Sequence, residues 1–217
     1  EGLASSTSSQ ERKQGLHEVL DSFPGIHIAA DLVANWQRQR AAEVMDSVTP
    51  LLADTPVDIV FAYNDRMAIG ARQSIEQGMA SGRLHFPRMP LFIGVDALLD
   101  DTVGVGRVED GTLEASFLYQ TGGDKAIHTA ACILSGQPYE REQGFETSLV
   151  NRGNVHLMRI QANHISEQDQ KIEFLNTRLD EFFKAYSAQK VVMWTFIALA
   201  LLLMAVVVLG IRFVLMK

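Results

Sequence analysis

The chain has 217 residues, 47% of them hydrophobic, and a formal net charge of −7 from 19 basic and 26 acidic residues. No stretch is basic enough to track a phosphate backbone, so the composition argues against direct binding of DNA or RNA. The single cysteine, Cys132, rules out an internal disulfide and a cysteine-built metal site, and the six histidines show no H-E-x-x-H or close-paired ligand spacing. No metal or other cofactor is therefore expected.

In chain order, residues 5–9 form a serine-rich polar turn that can cap a helix over 10–22. Pro24-Gly25 breaks that helix, and residues 26–30 read as a short apolar strand. Residues 37–52 carry Ala41, Val44, Met45, Val48 and Leu52 at helical spacing. A β-branched run over 57–62 predicts a strand, stopped by Tyr63-Asn64-Asp65. A helix over 67–77 ends at Gly78. Residues 91–95 predict a second buried strand ending at Asp96, and 113–119 a third after the Asp110-Gly111 turn. Thr121-Gly122-Gly123 opens a helix that reaches Leu134 and stops near Gly136-Gln137-Pro138. Strands alternating with helices predict an α/β fold with a doubly wound parallel sheet. Such sheets bind ligands outside the carboxyl ends of their strands. Asn64 and Asp96 stand there.

From Ser166 the pattern changes. Ile165, Ile172, Leu175, Leu179, Phe182 and Tyr186 form a heptad-like stripe, with Gln168 filling one seam position. No Pro or Gly interrupts residues 166–209, so one helix can run from a stalk into an apolar block. That block, residues 191–211, carries no charge, and at about 1.5 Å per residue it spans roughly 31 Å, close to the hydrocarbon thickness of a bilayer. It is read as a single transmembrane helix, which argues against a simple soluble protein. Trp194 lies near one end, and Arg212 and Lys217 close the other. The chain starts at Glu1 without a signal peptide and stops soon after the apolar block, as expected of a piece of a longer protein. The expected organisation is an α/β domain over 1–160, a helical stalk over 161–190, a membrane helix over 191–213, and the start of a cytoplasmic part over 214–217.

Asn64 and Asp96 offer directional donors and acceptors to a small polar ligand, or they cap the loops after their strands. Arg12 reads as a bidentate donor or as a solvated helix residue. Trp36 reads as a stacking ring or as a packing residue. The glycines at 104, 106 and 111 do not match G-x-G-x-x-G and read as turns. The serine cluster lacks the G-x-S-x-G elbow, and the cleft offers no paired acid and base. The chain itself is therefore expected to bind rather than to catalyse.

Three segments carry a resemblance: 10–15 (QERKQG), 60–71 (VFAYNDRMAIGA) and 93–96 (IGVD). Over roughly residues 1–158 the chain resembles the second half of the type I periplasmic sugar-binding proteins, the ribose-binding and lac-repressor-like group. Residues 117–123 and the segment from Asn163 through the stalk resemble the periplasmic sensor of bacterial hybrid two-component proteins. In those proteins a sugar sensor is followed by a membrane helix, a histidine kinase, a receiver and a DNA-binding region. The resemblance implies ligand contacts from Arg12, Trp36, Asn64 and Asp96. It also places Tyr119 or Gln120 where the family has its hinge glutamine. It implies that residues 122–134 return to a first lobe that this chain lacks, so that the isolated fragment binds ligand weakly or not at all.

The resemblance thus implies a sugar ligand and a domain in the periplasm, on a single-pass inner-membrane protein in contact with lipid. Its stalk would pair in a homodimer, and the kinase activity would belong to the parent protein. The alternative is a membrane-tethered sugar-binding component of a transport system.

Overall fold

The structure, a computed structural model, describes residues 1–53 and 55–215; the closing Lys217 and the last part of the expected 214–217 segment lie outside the described residues. The described chain divides into two compact units, the first Glu1–Gln161 and the second beginning at Ala162.

The first unit contains nearly all of the regular α/β structure. Helix α1 spans Thr7–Leu20, three residues earlier than the sequence predicts. The shift arises because Ser6 is its cap: the Ser6 hydroxyl accepts from Ser9 N at 3.3 Å. The strand expected over 26–30 does not form. A strand needs a neighbour to take its backbone N–H and C=O groups, and no described strand stands beside this segment. Helix α2 spans Arg38–Leu52, with Pro50 tolerated in its last turn.

Strand β1 is Ile59–Phe61, helix α3 is Asp65–Ala80 and strand β2 is Leu91–Asp96. A short helix α4, Val105–Glu109, stands where the glycines read as turns. Strand β3 is Ala115–Leu118 and helix α5 is Gly123–Ser135. Strand β4, Leu149–Asn151, has no counterpart in the sequence reading. The sheet order is β1-β2-β3-β4. The β1–β2 and β2–β3 pairs are parallel, as expected, and β4 closes the edge antiparallel to β3. The result is a mixed α/β sheet. A three-residue strand with one buried position, Val150, is too short for its period to stand out from a loop.

The core lies between this sheet, α3 and the helices beside it. Phe92, Met67, Ile75, Leu113 and Val108 are almost wholly buried, each contributing roughly 1.5–3 kcal/mol by leaving water. Gly70 lets α3 approach α2: a Cβ there would lie 2.0 Å from the Arg38 carbonyl oxygen. Helix α5 has no buried residue.

Helix α6 spans Val155–Leu215. Its first residue, Val155, is buried in the first unit's core, and Met158 packs against that core. The second unit is the remainder of this helix. It includes the uncharged block 191–211, long and apolar enough to be a candidate membrane span, with none of its most apolar window buried.

Candidate functional site

The carboxyl ends of β1 and β2 create the site. After β1 the chain turns at Tyr63 and enters α3 through Asn64, whose extended backbone (φ −152°) makes it the cap. Asn64 Oδ1 accepts from Met67 N at 2.8 Å, and Nδ2 donates to the Trp36 carbonyl at 3.2 Å. The capping role open to Asn64 on sequence grounds is therefore present. It uses the amide oxygen and one N–H, leaving the second N–H to give.

Arg12 projects from α1 to the same place. Its Nη1 donates to the Tyr63 carbonyl. Its guanidinium lies 5.3 Å from the ring centroid of Trp36 and 5.0 Å from that of Tyr119. Cation and rings attract one another here, and stacking holds the fork in one orientation. Trp36 reaches this position through two successive left-handed residues, Asn35 (φ 52°) and Trp36 itself (φ 67°). Lys13 fastens the neighbouring segment to α1 by ion pairs to Asp31 and Glu1, both at 2.7 Å. Those partners hold the Lys13 ammonium well above the usual lysine range.

Asp96 ends β2, paired in register with Leu118, and its carbonyl accepts from Tyr119 N at 3.3 Å. Burial pushes the Asp96 carboxyl above its ordinary range, while the positive charges of Arg12 and Arg66 pull it back. Arg12, Trp36, Asn64, Asp96 and Tyr119 therefore come together. Gln120 does not join them through any described contact; its side-chain amide donates to the Glu146 carbonyl at 3.1 Å.

The cluster offers cationic donors, one half-buried carboxylate acceptor, one amide N–H and two aromatic faces. That set suits a small ring with several hydroxyls and one apolar face. Among the described residues no group of His, Cys, Asp or Glu could hold a metal ion.

Sequence reasoning missed Tyr63, Asp65 and Arg66 as parts of this site. Tyr63 lends its carbonyl to Arg12 and its hydroxyl to Glu1 Oε1 at 3.3 Å. Arg66 was visible as a charge two residues past the Asn64 cap, but its facing of Asp96 depends on the β2 turn. Asp65 is fully buried, and nothing in a lone Asn-Asp pair distinguishes it from a solvated first-turn acid.

Residues 1–138 match the family model described as periplasmic binding protein domain. The D-apiose import binding protein of Actinobacillus succinogenes is 29% identical over 155 residues, covering 71% of this chain and 47% of that protein. The ribose import binding protein RbsB of Escherichia coli is 27% identical over 152 residues, covering 69% and 47%. This chain thus spans about half the length of these curated relatives. Among solved structures, the fructose-binding periplasmic domain of a hybrid two-component system aligns with a TM-score of 0.72 and 40% identity. That alignment covers 82% of this chain and 56% of the other. On the family match, which takes in more than half of its length, the chain belongs to the periplasmic binding protein domain family.

Proposed function

We propose that this chain is the sugar-sensing and membrane-anchoring part of a sensor histidine kinase of the hybrid two-component kind. Residues 1–160 form the periplasmic α/β domain, 161–190 the stalk, 191–213 the membrane helix, and 214–217 begin the cytoplasmic part. The sugar is held by Arg12, Trp36, Asn64, Asp96 and Tyr119, with Gln120 on the connection that flexes. The chain itself performs no chemistry; the kinase belongs to the rest of the protein.

Helix α6 is the observation that carries this reading. Its first turn is built into the core at Val155, and its later part holds the uncharged block 191–211. Arg159, one turn into α6, donates to Asp101 and Glu109, which lie on and beside α4 after the Asp96 turn. Ligand closing two lobes about the 119–120 connection shifts the population of one dimer arrangement, and the 166–190 stripe passes that shift on. The ligand moves this equilibrium only by its differential affinity for the closed state.

The test is ligand-dependent autophosphorylation of the whole protein in membrane vesicles. Charges at Leu175 and Leu179 should abolish the response; an unchanged response removes the paired stalk. A tethered transport component is the second reading, favoured by curated relatives that are import binding proteins. A coding sequence that continues beyond Lys217 into a kinase decides for the sensor, and one without an output domain decides for transport.

A further inference from the structure

Asp65 comes directly after Asn64 and is 1% exposed, a burial that a carboxyl tolerates only when its oxygens are bonded. Its Oδ2 accepts from Ala97 N at 2.9 Å, and its Oδ1 accepts from the Ser116 hydroxyl at 2.6 Å. Ser116 Oγ accepts from the same Ala97 N–H at 3.0 Å. The three groups close a triangle that joins the start of α3, the middle of β3 and the residue just past β2. Gly94 makes room for it: a Cβ there would lie 2.0 Å from Asp65 Oδ1.

The triangle surrounds an unusual piece of backbone. Asp96 has φ 114° and Ala97 φ 45°, two successive non-glycine residues in the left-handed half of conformational space. Such residues persist only where their surroundings over-determine them. The same turn sets where the Asp96 side chain points and, through its carbonyl, where Tyr119 is tethered.

We propose that Asp65 is the positioning residue of this site: through Ser116 and the Ala97 amide it locks the left-handed Asp96–Ala97 turn and so aims the Asp96 carboxylate at the ligand. The assignment rests on the sugar-binding reading above and deepens it. Burial, aided by the charge of Asp96, which is itself faced by Arg12 and Arg66, outweighs the bonds from Ser116 and Ala97, so the Asp65 carboxyl is pushed up to about 7. The triangle survives protonation, because the Ser116 hydroxyl can accept where it now donates. An asparagine at 65 keeps the same two bonds for that reason, and an alanine keeps neither.

The experiment uses the full-length protein in nanodiscs, with D-fructose, D-ribose and D-apiose as calorimetric probes and amide hydrogen exchange as a readout that needs no sugar. Asp65→Asn should hold the affinity of the unaltered protein within about threefold, and Asp65→Ala should weaken it about tenfold or more. Exchange in Asp65→Ala should rise over 96–99 while α3 stays protected, and Asp65→Asn should show no such rise. Ser116→Ala, a milder variant that folds more readily, should show the same pattern at smaller size. Equal affinity loss in the Asn and Ala variants, full affinity in Asp65→Ala, or a uniform rise in exchange overturns the proposal. If no probe binds the unaltered protein, the sugar reading fails by itself. The exchange pattern then still decides: a rise confined to 96–99 in Asp65→Ala alone upholds the brace, and no rise sinks it.

Discussion

Helix α3 buries nine of its residues, whereas α5, equally two-faced in sequence, buries none and leaves Ile127 75% and Leu134 89% exposed. The difference lies in what stands opposite. α3 has β1, β2 and α2 against it, with Gly70 and Gly94 allowing the approach. Among the described residues, α5 is met by the loop after it, where Gln143 Nε2 donates to Thr129 Oγ1 at 2.7 Å and Lys125 lies 4.4 Å from the Phe145 ring centroid. An apolar stripe thus states that a face needs covering; stability comes only from the surface that covers it.

Truncating the same residue type on the two helices should give the widest contrast. Ile75→Ala, at a site 1% exposed, should cost about 2–5 kcal/mol of unfolding free energy, and Ile127→Ala less than about 0.5 kcal/mol. Urea unfolding of both variants measures this. A large loss at Ile127 would show that α5 is covered in solution and would break the comparison.

Asp65 tests the α3 side by pH. Its folded-state pKa of about 7 lies above the ordinary aspartate value. Between roughly pH 4 and 7 the folded protein therefore holds a proton that the unfolded chain has lost. Stability should be greatest at the acid end of that window, fall as pH rises through it by at most about 4 kcal/mol, and level off above it. Asp65→Asn should flatten the profile, and an unaltered slope in urea midpoints across this range would contradict the assignment.

Asn64→Ala removes the side-chain cap of α3 and should cost about 1 kcal/mol. On the proposed sugar-binding reading it should also weaken ligand binding, since it takes away the remaining amide N–H. α5 begins at Gly122 with no side-chain cap, so Gly122 offers no equivalent loss. Thermal melts and calorimetry on one preparation would separate the two effects of Asn64→Ala.

A small stability effect is also expected at Arg159, whose two carboxylate partners are exposed. Arg159→Gln should change stability by no more than about 1 kcal/mol. On the sensor reading it should nevertheless reduce sugar-stimulated autophosphorylation at unchanged affinity. A normal response would show that coupling does not pass through this contact.

Much of the frame was legible in the sequence. Runs such as 57–62 and 91–95 are rich in β-branched and aromatic residues, and each is followed by a polar stop, so their strand character and the placing of Asn64 and Asp96 come from local chemistry. Residues 26–30 are also mostly apolar and form no strand, because pairing is a property of two segments. α4 and β4 are too short to carry a period. The meeting of Arg12 with Trp36 and Tyr119 joins positions far apart in the chain, and it depends on left-handed backbone at 35–36 that no spacing rule marks.

Reading along the chain is enough to tell which of the longer segments are helical, where the strand ends expose polar groups, and that residues 191–211 match a bilayer in length and lack of charge. Those properties depend on neighbours along the chain and on summed hydropathy. Folding in three dimensions is what buries Asp65 and leaves Arg66 exposed, closes Arg12 over two aromatic rings and puts Asp96 in a left-handed turn. Those properties depend on which distant groups occupy the space around a residue, and a one-dimensional pattern carries no record of that space.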